Sequence, residues 1–128
     1  MTGLLKKYGY VPDSGKMRDD IDRIAANLDV IKTDCILKEC FSMMDLTSLR
    51  ANDTPSGISK LVGKVNGLAS AYPSYPLPAS VCVYPNFASV VRDTRNSEDL
   101  HVTVVSGCFP ASQSFIEVKV KESEMAVA

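Results

Sequence analysis

Three short apolar runs, each followed by a segment with helix-starting signals, constrain this chain more than any other feature. Asp45-Leu46-Thr47, Cys82 and Phe109-Pro110 each stand at the end of such a run, where a strand hands over to its loop. Strand-then-helix repeats build a parallel sheet, and in barrels made of them the chemistry sits at the C-terminal ends of the strands. The pattern predicts an α/β fold whose strand ends form part of an active-site rim. An eight-unit barrel of this kind takes about 250 residues. This chain has 128 and stops at Ala128 within the helix of its third unit, without a terminating Gly, Pro or polar tail, so it reads as the front half of an enzyme.

Residues 1–41 read as a lead with helices. An irregular stretch to about residue 17 carries Gly3, Gly9, Pro12 and Gly15. Asp19 and Asp20 then open a helix with Ile21, Ile24, Ala25, Leu28 and Ile31 at helical spacing. A short helix over 34–41 leads into a first strand at 42–46. Asp53 or Thr54 caps the next helix, with Pro55 in its first turn, and Ile58, Leu61, Val62, Val65 and Leu68 form its buried stripe. That helix ends near Ala71, before the proline-rich 72–78 loop.

Residues 79–83 are a near-continuous apolar run, as expected of a parallel strand covered on both faces. Tyr84-Pro85-Asn86 turns into a helix carrying Phe87, Val90 and Val91 inward. The third strand spans 100–105, and the loop 106–112 precedes a last helix. Ser112 or Ser114 is expected to cap it, Ile116, Val120 and Met125 to be buried, and Glu117 to pair with Lys121. Residues 42–128 thus hold three βα units.

Charge and cysteines exclude several classes. The net charge of −1, from 14 basic and 15 acidic residues mixed along the chain, gives no field for nucleic acid or an anionic membrane. No run of eighteen apolar residues and no signal-peptide core occurs, so a soluble cytoplasmic protein is the expectation. Cys35, Cys40, Cys82 and Cys108 form no C-x-x-C pair and read as reduced thiols, mostly buried. With one histidine, His101, at the start of a strand, neither a zinc site nor a Ser-His-Asp or Cys-His device is expected.

Four motifs in order then carry a resemblance. Met44-Asp45-Leu46-Thr47-Ser48-Leu49 with Asp53-Thr54, Val81-Cys82-Val83-Tyr84-Pro85, Val104-Val105-Ser106-Gly107-Cys108-Phe109-Pro110-Ala111-Ser112, and Glu117-Val118-Lys119 with Glu122 together resemble the N-terminal half of the 2-deoxyribose-5-phosphate aldolase family. The resemblance covers about residues 40–128. It implies the first three units of an incomplete (β/α)8 TIM barrel preceded by N-terminal helices. It also implies a class I aldolase, a lyase of deoxyribonucleotide catabolism. An imine-forming lysine reversibly joins acetaldehyde to glyceraldehyde 3-phosphate, with no cofactor and no metal; the partner is a small phosphorylated sugar.

Position by position, Asp45 matches the family's aspartate that steadies a catalytic lysine pair, Thr47 the site's threonine and Cys82 the thiol beside the imine, while Phe109 reads as a channel wall. Without the resemblance, Asp45 is an N-cap or loop carboxylate and Cys82 a small core residue. The family's imine lysine, second lysine, acid/base aspartate and phosphate site all come from later strands. Of the lysines here, Lys60, Lys64, Lys119 and Lys121 lie on helices and the others precede the first strand. The chain alone is therefore expected to be inactive. A split enzyme completed by another polypeptide, or a non-catalytic α/β association module, are the other two readings. In each, open sheet edges favour homo-oligomers or aggregation.

Overall fold

The computed structural model describes residues 2–128, without the side chains of residues 2, 4 and 6. Met1, the first residue of the expected irregular lead, lies outside the described residues. The chain divides into two compact units, one ending at Leu37 and one spanning Lys38–Ala128.

The first unit is more helical than its glycines and proline predict. Helix α1 spans Thr2–Lys7, α2 spans Ser14–Ala26 and α3 spans Leu28–Ile31. The expected start at Asp19 and Asp20 is corrected: Asp13 is extended and accepts a hydrogen bond from the Lys16 N–H at 2.9 Å, capping α2 one and a half turns earlier. Asn27 interrupts the helix, its side chain donating back to the Arg23 carbonyl at 2.8 Å. Leu28 and Ile31 consequently ride on a separate turn. Lys16, Asp20 and Arg23 form an exposed ion-pair chain along α2.

The second unit is built on a parallel sheet. Helix α4, Asp34–Ser42, crosses the boundary between the units and is followed by β1, Asp45–Thr47. Then come α5 (Pro55–Ala71), β2 (Ser80–Val83), a 3-10 turn (Pro85–Phe87), α6 (Ala88–Thr94), β3 (His101–Val104) and α7 (Ile116–Val127). Among the described residues the strand order is β1-β2-β3. Leu46 lies beside Val81, and Val81 beside Val102. The first strand was expected at 42–46; α4 continues through Ser42 and the strand begins only at Asp45.

The local signals for α5 acted as expected. Thr54 is extended and its hydroxyl accepts the Gly57 N–H at 3.1 Å. Pro55 occupies the first turn, where a missing N–H leaves no acceptor unpaired. Ile58, Val62 and Val65 are buried on its inner stripe, with Leu61 and Leu68 packed at the margin. These side chains meet Val81 and Val83 of β2, Phe87, Val91 and Leu100, which together form the core on one face of the sheet. Each such aliphatic side chain contributes about 1.5–3 kcal/mol on full burial.

Helix α7 forms where a last helix is expected, but its cap, burial and ion pairing differ. Its N-cap, Phe115, makes no side-chain cap, and the Ser112 hydroxyl donates to the Gly107 carbonyl at 2.7 Å instead of capping α7. Ile116, Val120 and Met125 are 65%, 50% and 69% exposed, not buried. Lys121 pairs with Glu124 at 3.2 Å, not with Glu117. The periodicity of α7 marks an apolar stripe, but none of its residues is buried. No helix among the described residues is long and apolar enough to cross a membrane.

Candidate active site on the polar sheet face

Register decides which side chains gather. Partnered residues of neighbouring parallel strands point the same way, and successive residues alternate. Leu46, Val81, Val83, Val102 and Val104 therefore face the helices, while Asp45, Thr47, Ser80, Cys82 and Thr103 share the opposite face. This second face carries the polar side chains of the strands. The 79–83 run was expected to be a strand covered on both faces, and β2 is buried along its whole length, with Ser80 and Cys82 on the second side.

The polar face is wired across the sheet. The Thr103 hydroxyl donates to Ser80 Oγ at 2.8 Å, and Ser80 Oγ donates in turn to Asp45 Oδ1. Ser80 is only 2% exposed, whereas Asp45 is exposed. Thr47, level with Cys82, donates to the Asp45 carbonyl at 3.5 Å. Burial pushes the Cys82 thiol upward from its ordinary pKa and the Asp45 charge adds to the rise, while a hydrogen bond with Thr47 opposes it. At neutral pH Cys82 is a protonated thiol, unsuited to be a nucleophile.

The strand ends are tied down as well. The Ser48 N–H donates to the Cys82 carbonyl at 3.0 Å, and the Ser48 hydroxyl meets both Asp53 carboxylate oxygens at 2.9 Å. The Arg50 N–H also donates to Asp53, closing the β1–α5 loop. After β3, Gly107, Cys108 and Ser112 all adopt positive φ. The Cys108 N–H donates to Glu122 Oε2 at 2.8 Å, and Ser106 and Ser123 hydroxyls lie 2.5 Å apart, so α7 anchors this loop.

Of the residues singled out by sequence, Asp45, Thr47 and Cys82 come together on the polar face. Asp45 is the first residue of β1, not its C-terminal end; Thr47 is the last. Phe109 lies on the loop after β3, 46% exposed. Ser80 and Thr103 were not singled out. Their signal was the two-residue alternation that puts Ser80 and Cys82 on one side of β2.

Every lysine lies on a helix or, for Lys32, at a helix cap. None stands on β1, β2 or β3. Lys60, Lys64 and Lys121 are exposed, and Lys119 is half-buried. His101 opens β3 beside a cleft of about 440 Å³ that includes Ser42, Pro78 and Asp99. A larger groove of about 1140 Å³ lies on the helix-facing side of β3, between α6 and α7, with Val102 and Val104 in its lining. Among the described residues no three His, Cys, Asp or Glu side chains gather as metal ligands do.

No family model matches the chain. A solved structure from Coccidioides immitis, described as "a putative deoxyribose-phosphate aldolase", is similar to it, with 27% sequence identity and a TM-score of 0.56. The match covers 70% of this chain and 32% of that one, so it spans about a third of the neighbour's length. The mixed α/β fold with its three-stranded parallel sheet is consistent with part of a TIM-barrel-like fold.

Proposed function

We propose that this chain contributes the first three strands of a class I aldolase that cleaves 2-deoxy-D-ribose 5-phosphate reversibly to glyceraldehyde 3-phosphate and acetaldehyde. The observation that carries this reading is the assembly of Asp45, Thr47 and Cys82 on one face of a parallel sheet. The similarity to the Coccidioides immitis structure supports it.

In such an enzyme a neutral lysine amine adds to the substrate carbonyl carbon and water leaves. The iminium then takes up the electron pair released as the C–C bond breaks. Asp45 steadies the second, charged lysine of the pair, because a carboxylate accepts charge-assisted hydrogen bonds and favours the ammonium form of its neighbour, and that cation in turn keeps the nucleophilic amine neutral. Thr47 offers a hydroxyl to the sugar. The protonated Cys82 thiol lines the pocket without competing for the carbonyl, and Phe109 forms a wall from the loop after β3. The amine nucleophile and the phosphate grip come from outside these three strands.

The test is cleavage of deoxyribose 5-phosphate by the protein expressed from its own gene, together with any subunit that copurifies. Borohydride trapping in the presence of acetaldehyde is expected to mark one lysine outside residues 1–128. Asp45→Asn should lower kcat strongly while the fold persists. A preparation without cleavage activity, or full turnover in Asp45→Asn, overturns the reading.

A further inference from the structure

Asp45 is exposed at the first position of a three-residue strand, a poor place from which to hold a carboxylate still. A short side chain at a strand start is free to turn to water unless something holds it. Here the holder is Ser80, the one buried polar side chain among the described residues, aligned with Asp45 across the ladder. Donor and acceptor chemistry fixes the direction of the chain. An ionised carboxylate only accepts, so the Ser80 proton points to Asp45 and a Ser80 lone pair is left for the Thr103 proton. Thr103, on the third strand, thus sets the Ser80 rotor, and Ser80 sets the carboxylate.

We propose that Ser80 and Thr103 are positioning residues that fix the Asp45 carboxylate on the polar face through a hydrogen-bond chain crossing all three strands. This deepens the aldolase reading and rests on the role given there to Asp45. A low-dielectric environment strengthens such a chain, and burial makes its hydroxyls costly to leave unpaired. Both hydroxyls are satisfied within it, and no buried side-chain polar atom among the described residues lacks a partner.

Cys82 supplies a reporter that is independent of catalysis. It lies two residues from Ser80 on the same strand face, and Asp45 is the charged group that acts on it. Iodoacetamide labelling at pH 8.5, quantified at Cys82 by peptide mass mapping, reads how close the carboxylate is held. Asp45→Asn is expected to raise the labelling rate by about two- to five-fold, as for loss of a partly solvated like charge. Ser80→Ala and Thr103→Val should raise it in the same direction, and Thr103→Ser, which keeps the hydroxyl, should restore the parent rate.

The double variant Ser80→Ala/Asp45→Asn separates positioning from simple access. If Ser80 acts through Asp45, the double variant labels no faster than Asp45→Asn alone; additive increases overturn the proposal. Parent-like labelling in both Ser80→Ala and Thr103→Val, alongside a faster Asp45→Asn, overturns it too. If Ser80→Ala fails to fold, as judged by circular dichroism, the Thr103→Val and Thr103→Ser pair carries the comparison by itself. In the native gene product, failure of the aldolase reading shows as absent cleavage with the labelling pattern intact. Failure of positioning shows as parent-like labelling in Ser80→Ala and Thr103→Val while Asp45→Asn still lowers cleavage strongly.

Discussion

Val83→Ala and Val120→Ala remove the same two methyl groups from two positions that both sit in apolar patterns, yet their costs should differ several-fold. Val83 is fully buried in the central strand, packed in the core with the α5 and α6 side chains, whereas Val120 on α7 is 50% exposed. At Val83 the transfer loss is about 0.8 kcal/mol per methyl-sized group, near 1.6 in total. The cavity left in a close-packed interior adds to it, so about 2–3 kcal/mol is expected. At Val120 the half-exposed side chain loses little on truncation, and the change should stay within about 0.5 kcal/mol. Urea unfolding followed by far-UV circular dichroism, with both variants compared at equal protein concentration, measures the difference. Equal midpoints for the two variants, or a Val83→Ala loss below about 0.5 kcal/mol, would refute the assignment of β2 as the packed centre of the second unit.

Three further outcomes follow from the described contacts. Thr54→Ala should cost about 1 kcal/mol by removing the α5 cap, and Thr54→Ser should recover most of it in the same unfolding assay. The raised Cys82 thiol predicts a stability contribution that is complete below the ordinary thiol pKa of 9.0. It is lost as pH climbs toward the folded-state value, since the unfolded chain then releases its proton first. Cys82→Ala should flatten that alkaline decline, and an unchanged slope between pH 8 and 10 would contradict the burial argument. On the isolated chain, acetaldehyde with borohydride should give only scattered, low-level labelling of lysines, as their helical positions imply; stoichiometric trapping at a single lysine would show that a nucleophile is already present.

Much of this molecule was written in local chemistry. Thr54, Pro55 and the Ile58, Val62, Val65 stripe define α5 by capping and periodicity alone, and β2 and β3 follow from their β-branched runs. The same locality failed at α2, where Asp13 outcompeted Asp19 and Asp20 as the cap although Gly15 follows it closely. It failed again at α7, whose apolar spacing could not reveal that none of its residues is buried among the described elements. Asp45, Thr47 and Cys82 were visible as residues, but their convergence was not, because it depends on strand register. Pairing Asp45 with Ser80 and Ser80 with His101 sets every side chain to one face or the other, and a slip of one residue would reverse the assignment. Amino-acid order determined which segments became helices and strands; only the tertiary pairing of three parallel strands decided that Thr103, Ser80 and Asp45 form one hydrogen-bonded chain, because that contact joins residues 23 and 35 positions apart.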